Sequence, residues 1–454
     1  MKRILSLLLA GFMIATVGIT ATACVNTDGG DPNIDTGDKP TVKMWLQPTE
    51  SYDIAWWRTY VNEYNKLEDK EYAVDIQWVD GGVWDERMAA AQQNGTAPDL
   101  VVYPISGAAQ KATDGLVAPL NDYVDIEKLT QDLEPIVAEN ITDKNGNVYG
   151  VPKYLEPSAL LFYNKEMLEE AGLEEPTSDM TIDELIDYAG KLTKRTGNRV
   201  DRYGLQIASA QDEYGWVSWA MQYQVADHES LNADWSAADL TGYEKVAEAW
   251  EKLHNADGVA EQTLTDGGYS DDYAAIFSEL CAMQMCGSWI YGTLVNEYPD
   301  MKDKIGFTTF PLIDGVVNDV YATLGGWSLC IDAGSKLKEQ AGEFIEWIYC
   351  GDPQILADYF EAGDYCKISP RKSVNAILQE SETGKQSEMF SLLNSILSNC
   401  KCEPVYPWMV SLNIGQAYQR VVLGQQEPAA ALSQAQSEIN QYLSDNNLTG
   451  KNFN

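Results

Sequence analysis

The sequence predicts a two-lobed α/β protein, and three observations lead to that class. Residues Thr41 to Tyr103 alternate strand and helix patterns in the order β-α-β-α-β, which specifies an open, largely parallel sheet. The run Ala159 to Tyr163 (ALLFY) is continuously apolar, as expected of a strand buried on both faces in a second sheet. At 454 residues and 45% hydrophobic content, the chain exceeds what one core ordinarily holds.

Met1 to Ala23 has the make-up of a secretory signal: Lys2 and Arg3, an apolar stretch, then Ala21, Thr22 and Ala23. These last three fit an A-x-A cleavage site. Cys24 after them also resembles the lipidated cysteine of a bacterial lipobox, although Ala21 stands where Leu is usual. Residues 24–40 are rich in Gly, Asp and Pro and read as a flexible tether. A tether is useful only if its end is held, so the expectation is a lipid on Cys24 as the sole attachment to the membrane. No later segment offers the ~18 to 20 continuous apolar residues of a span.

The balance of 31 Lys and Arg against 69 Asp and Glu gives a formal charge of −38, which opposes nucleic acid and anionic lipid as partners. Removing Cys24 from eight cysteines leaves seven, which cannot all pair within one molecule. Buried free thiols are expected, with one or more disulfides as the alternative, and no metal or cofactor site is predicted. Two histidines leave little for catalytic triads or metal centres.

Taken in order, the strand at Thr41 ends in a loop carrying Gln47, Glu50 and Tyr52. The helix after it sets Ile54, Trp57, Tyr60, Val61, Tyr64 and Leu67 on one face. A strand from Ala73, a turn at Asp80 to Gly82, a helix ending near Gly95 and a strand to Tyr103 complete the first lobe's alternation. Asn145-Gly146 predicts a type I′ hairpin. Pro152 to Pro157 (PKYLEP) reads as a crossover between lobes, and Asn164 and Gly172 bracket a short helix. Thr181 and Glu184 form a capping-box pattern for a helix that Gly197 stops. A strand follows at Tyr203, then an aromatic segment without clear period from Gln211 to Ala220. Helices are expected around Gly242 to His254 and Asp271 to Cys281. The next strand runs into Trp289, and one more spans Ile305 to Phe310. A second crossover, Thr323 to Trp327, leads into SLCIDA, and Lys367 to Ser373 (KISPRKS) is a third. Helices begin at Ser335 and Pro353, and others close the chain, two of them separated by Gly424.

The pattern Gly146-x-x-Tyr149-Gly150-Val151-Pro152 followed by LLFYNKEMLEEAGL resembles the extracellular solute-binding proteins of the carbohydrate ABC-importer type, the maltose-binding-like family. The resemblance extends from Thr41 to the C-terminus through AMQMCGSW, GGWSLCIDAGSK, SPRKS and PAAALSQAQSEI. It implies the two-lobe solute-binding fold of class II type with three hinge crossovers. The lobes would be residues 41–151 plus 325–371 and 152–324 plus 372–454. An enclosed oligosaccharide, a permease partner and a monomeric chain without enzymatic activity are further implications.

A carbohydrate presents apolar faces and a rim of hydroxyls, so its site needs flat aromatics and groups that donate and accept. The chain has 13 Trp and 25 Tyr but only 9 Phe, an excess of rings with polar tips. Trp289 and Trp327 follow glycines at strand ends, where the resemblance places stacking aromatics. Tyr154 and Glu156 match a ring and an acidic hydroxyl acceptor in the first crossover. Gln47, Glu50, Tyr52 and Tyr103 are candidates because ligands lie beyond the carboxyl ends of strands in open sheets. Arg371 is either a cleft ligand or a hinge ion pair, and Trp84, Trp219 and Trp408 form a second tier. Readings that remain open are a polyamine or another small solute on the same fold, a sugar sensor, and a secreted glycoside hydrolase, for which no motif selects two acids.

Overall fold

The structure, a computed structural model, describes residues 29–207, 211–260, 275–316 and 319–453. The signal segment, Cys24 and residues 25–28 lie outside them. From residue 29 the expected flexible tether is instead packed. Asp31 donates its backbone N–H to Ile76 O (2.6 Å), and Ile34 joins the core. The Asp31 carboxylate accepts from Arg58 Nε (2.6 Å), Trp78 Nε1 (2.7 Å) and both the backbone and side-chain nitrogens of Asn33. A carboxylate with four donors is fully satisfied in a buried position, and composition does not reveal partners so far along the chain.

The predicted alternation follows as β1 (Thr41–Leu46), α1 (Ser51–Asn65), β2 (Ala73–Trp78), α2 (Trp84–Asn94) and β3 (Leu100–Pro104), with β1 parallel to both β2 and β3. Helix α1 turns Trp56, Trp57, Val61 and Tyr64 inward. Helix α2 stops where expected, because Gly95 takes φ +65°. Three short helices without a clear sequence signal come next: α3 (Ile105–Thr113), α4 (Ile126–Asp132) and α5 (Pro135–Ile141). The turn at Asn145 and Gly146 is not type I′, since only Gly146 has positive φ. Asp143 Oδ1 organises it by accepting from the backbone N–H of Asn145 and Asn147 at 2.8 Å each. One antiparallel bridge, Thr142 to Val148, replaces the expected hairpin ladder.

Strand β4 (Val151–Pro152) ends the first lobe's sheet, and β5 (Glu156–Pro157) leaves it. The second sheet is built on β6 (Leu160–Asn164), all five residues of which are buried, as the unbroken apolar run predicts. Asn164 Oδ1 caps α6 (Lys165–Ala171) by accepting from Met167 N–H, and Gly172 ends it at φ +68°. The capping box of Thr181 and Glu184 starts α7 (Ile182–Leu192). That helix ends at Leu192, and Gly197 instead turns the hairpin between β7 (Lys194–Thr196) and β8 (Arg199–Gln206). The aromatic segment without visible period is helical, α8 (Gln211–Val225). It is followed by α9 (Glu244–Asn255), β9 (Val259–Ala260) and β10 (Cys281–Cys286). Of the helix expected at 271–281, residues 271–274 lie outside the described residues, and 275–280 are turns leading into β10. Helix α10 (Trp289–Glu297) and β11 (Ile305–Thr309) complete this lobe's first pass.

Strand β12 (Ala322–Gly325) is the second crossover, and β13 (Trp327–Ile331) re-enters the first sheet antiparallel to β3 and β4. Helices α11 (Lys338–Ile345), extended by a π turn through Cys350, and α12 (Pro353–Ala362) lead to the third crossover. Then come α13 (Lys372–Glu380), α14 (Glu382–Gln386), α15 (Glu388–Ile396), β14 (Cys400–Cys402), α16 (Trp408–Val422) and α17 (Pro428–Asp445). The sheets run β2-β1-β3-β13-β4, β11-β6-β10-β8-β7 with β9 on β8, and a small hinge sheet β14-β12-β5.

One face of the second sheet is covered by α7, α8, α9, α16 and α17 over a core that includes Leu185, Met221, Trp250, Ile414, Tyr418 and Ile439. Its other face, with Phe162, Ile290 and Leu294, is continuous with the core of the first lobe. Val374, Leu378, Met389, Phe390 and Ile396, all after the third crossover, join that same continuous core. All seven cysteines of the described residues are free thiols, and no described helix is long and apolar enough to cross a membrane.

Candidate ligand-binding site at the hinge

The crossovers lie side by side. Leu155 and Ile368 exchange two backbone hydrogen bonds of 2.8 Å, joining the first crossover to the third. Strand β5 pairs with β12, joining the first to the second. Gly326 permits this crowding, because a Cβ there would stand 2.1 Å from the Tyr154 carbonyl oxygen.

Two buried lysines, both from crossovers, organise the junction. Lys153 forms an ion pair with Asp53, and its ammonium lies 4.3 Å from the Tyr359 ring centre. Lys367 pairs with Glu50 (3.1 Å) and Glu156 (3.5 Å) and sits 4.0 Å from the Tyr154 ring centre. Tyr154 and Tyr359 stack on each other, with centroids 5.6 Å apart and planes within 8°. Each ring of the stack therefore faces an ammonium, an attraction that strengthens when water is excluded.

Burial opposes the charge of Lys367, but the Glu50 carboxylate, joined by Tyr154, Tyr359 and Glu156, more than compensates and holds its pKa well above the ordinary range. Burial likewise raises Glu50, and Lys367 together with hydrogen bonds from its own backbone N–H and from Thr49 outweighs it, so Glu50 stays below the usual carboxylate value. For Glu156, burial together with Glu50 wins against Lys367 and lifts the carboxyl to about 7. Burial pushes Lys153 down, against the pull of Asp53.

Six of the nine predicted residues come together here. Gln47, Tyr154 and Trp327 line one cavity of about 30 Å³ beside Lys153. Glu50 and Glu156 meet at Lys367. Tyr52 is buried next to them, where its hydroxyl contacts Cys366 Sγ (3.4 Å) and its ring tilts against Tyr359. Tyr52 also packs close to Gly292 of α10, so it stands between the lobes.

The other three do not line that cavity. Tyr103 is buried edge-on to Trp84, which is edge-on to Trp45, and burial raises its phenol above the ordinary value. Trp289 begins α10 one residue after Ser288, whose backbone N–H bonds Pro157 O of the first crossover (3.1 Å). Arg371 is spent on structure: Nε donates to Asp132 (2.6 Å), and its terminal nitrogens donate to the carbonyls of Tyr349 and Gly351. Of the second tier, Trp219 and Trp408 meet edge to face, and Trp408 is 44% exposed at the start of α16.

Sequence reasoning did not single out Lys153, Lys367, Tyr359, Ser106 or Glu403. The lysines carry a usable signal, being cations inside crossovers of a strongly acidic chain. Glu403, five residues before Trp408, faces Ser106 Oγ at 3.3 Å and rims a groove of about 960 Å³ between α5 and the loop after α8.

This architecture can be compared with known proteins. Residues 59–390 match the family model described as bacterial extracellular solute-binding protein. A lactose-binding protein of Rhizobium radiobacter is 27% identical over 270 residues, 58% of this chain and 59% of that protein. The sn-glycerol-3-phosphate-binding periplasmic protein of Pectobacterium atrosepticum is 23% identical over 346 residues, 70% of this chain and 73% of that protein. Against the lactose-, mannitol- and arabinooligosaccharide-binding relatives the matched stretch spans 59 to 63% of their lengths. A solute-binding protein of Thermotoga lettingae, solved with α-D-tagatose, superposes with a TM-score of 0.72 at 23% identity, covering 89% of this chain and all of that one. The matched residues contain most of the first sheet, all of the second, and the three crossovers, and on that ground the chain belongs to the bacterial extracellular solute-binding protein family.

Proposed function

We propose that this protein is a receptor that captures a carbohydrate, an oligosaccharide above all, between its two lobes and hands it to an ABC import permease by hinge closure. In this reading the lobes are residues 41–151 plus 325–371 and 152–324 plus 372–454. The chain acts as a monomer without cofactor or catalysis, held outside the cell by a lipid on Cys24. One observation carries the proposal: Gln47, Tyr154 and Trp327, from the first lobe and two different crossovers, line a single cavity. That cavity is no larger than a water molecule, so a sugar would sit against its rim, touching the first lobe and the first crossover, and only differential affinity for the closed state can drive closure. The rings supply stacking surface and the amide and phenol supply donors and acceptors, which is the chemistry a sugar requires.

The test is intrinsic tryptophan fluorescence of the full-length protein in detergent, titrated with maltotriose, lactose, arabinooligosaccharides, mannitol and spermidine. A saturable response to one sugar class is expected, weakened about tenfold or more in Trp327→Ala, with the sugar recovered uncleaved. Tenfold corresponds to about 1.4 kcal/mol. A response to spermidine alone would replace the sugar reading with a polyamine one, and cleavage of the sugar would replace it with a hydrolase.

A further inference from the structure

The hinge sheet places two acids on one face around a glycine. Cys402 of β14 is in register with Leu324 of β12, and Glu156 of β5 is in register with Gly325. Glu403, the next residue after Cys402, therefore comes alongside Gly325 from the other side. A Cβ on Gly325 would stand 2.4 Å from Glu403 Oε1, so this carboxyl lies over the face that Gly325 leaves bare. Residues directly opposite in a sheet project to the same face, which puts Glu156 there as well. Strands lie about 4.8 Å apart, so the two backbones are separated by only about twice that distance.

The charged surroundings are asymmetric. Lys367 of the third crossover reaches Glu156 and shares itself with Glu50 from the first lobe, and Lys153 lies beyond it. Glu403 makes no ion pair among the described residues and meets the Ser106 hydroxyl of α3. Burial, joined by the negative charge of Glu156, lifts Glu403 to about 7, matching Glu156.

We propose that Glu156 and Glu403 work as one specificity element, sharing a single proton across the Gly325 floor and offering the ligand a carboxyl O–H donor beside carboxylate acceptors. Two like charges in one desolvated site resist ionising together, and the pair titrates as a unit. The inference rests on the hinge being the ligand site, and it narrows the ligand to a neutral polyhydroxylated molecule. Sugar hydroxyls both donate and accept, which suits such a pair. A phosphate or uronate would add a negative charge to a site that already rejects its own second one.

The proton is tested without any ligand. Infrared difference spectra of the full-length protein between about pH 8 and pH 6 should show a carboxylic-acid carbonyl band titrating near neutrality. The band should shift to lower pH in Glu156→Gln, which removes the charge acting on Glu403, and lose intensity in Glu403→Gln and in Gly325→Ala, which displaces Glu403. A band unchanged in Glu156→Gln, or absent from the wild type, would overturn the shared proton. Fluorescence titration then uses maltotriose, mannitol, glucuronate and sn-glycerol 3-phosphate. One of the neutral probes should respond, about tenfold more weakly in Glu403→Gln, while the anionic ones should not. A preference for an anionic probe would sink the specificity claim. The titrating band without response to any sugar would overturn the receptor reading and leave the carboxyl pair standing. A sugar response without the band would do the reverse.

Discussion

Single side chains at the hinge carry large, separable effects. Lys367 is the only cation within ion-pair distance of Glu50 and Glu156 among the described residues, and its side chain is 2% exposed. Lys367→Met should therefore cost about 3 to 5 kcal/mol, the usual penalty for leaving buried charges uncompensated. Adding Glu50→Gln should recover part of the loss, and urea unfolding of the two variants measures both. Asp132 is held below the usual carboxylate value: burial raises it, but Ser373 and Arg371 outweigh burial. Its contribution to stability is complete above the ordinary 3.8 and disappears as pH falls through the lowered folded value. The stability deficit of Asp132→Asn should thus be constant near neutrality and close below about pH 4. Glu403 has the opposite sign. Its carboxyl is raised from the ordinary 4.5 to about 7, so the native state binds more protons than the unfolded one and loses stability as pH rises across that interval. Glu403→Gln should gain on the wild type between those values and level off above them, as melting curves at stepped pH will show.

At the scale of elements, local chemistry decides where segments start and stop. The capping box at α7 satisfies two otherwise orphaned N–H groups, with Thr181 Oγ1 accepting from Glu184 N–H and Glu184 Oε2 accepting from Thr181 N–H. Thr181→Ala should lower stability by about 1 kcal/mol without moving the hinge, which a denaturant titration resolves. Such signals were legible because every participant lies within four residues. The end of α7 was not, because Gly197 had two uses and the hairpin with β8 claimed it. For the same reason α8 hid behind its aromatics: Trp219 and Tyr214 face Ser411 and His254, partners supplied by α16 and α9, and packing overrides a blurred period.

Over the whole molecule, a charge of −38 acts against compactness. The few surface ion pairs do not neutralise it, so the melting temperature should rise between about 0.01 M and 0.3 M salt as the screening length shrinks from about 30 Å to below 10 Å. A melting temperature that falls with salt would show that ion pairs outweigh net repulsion. The two lobes share one continuous buried cluster, yet among the described residues only the three crossovers and β14 pass between them. Bending at these strands leaves both sheets intact, and small-angle scattering of the protein with a sugar that binds should report a smaller radius of gyration than without it.

Composition, periodicity and capping residues by themselves determined the α/β alternation and the buried strand expected at Ala159 to Tyr163, found at Leu160 to Asn164; the three crossings between lobes were what the family resemblance implied. The first two depend on neighbours close in the chain, or on burial that any sheet partner can provide. Tertiary structure alone decided that residues 29–40 are packed, that Arg371 serves Asp132, and that Lys153 and Lys367 face a pair of stacked tyrosines. It also decided that Glu403 meets Ser106 across 297 residues of sequence. A charge reads the same in sequence whether it is solvated or buried, and only the fold, by removing water and choosing its partners, gives it a role.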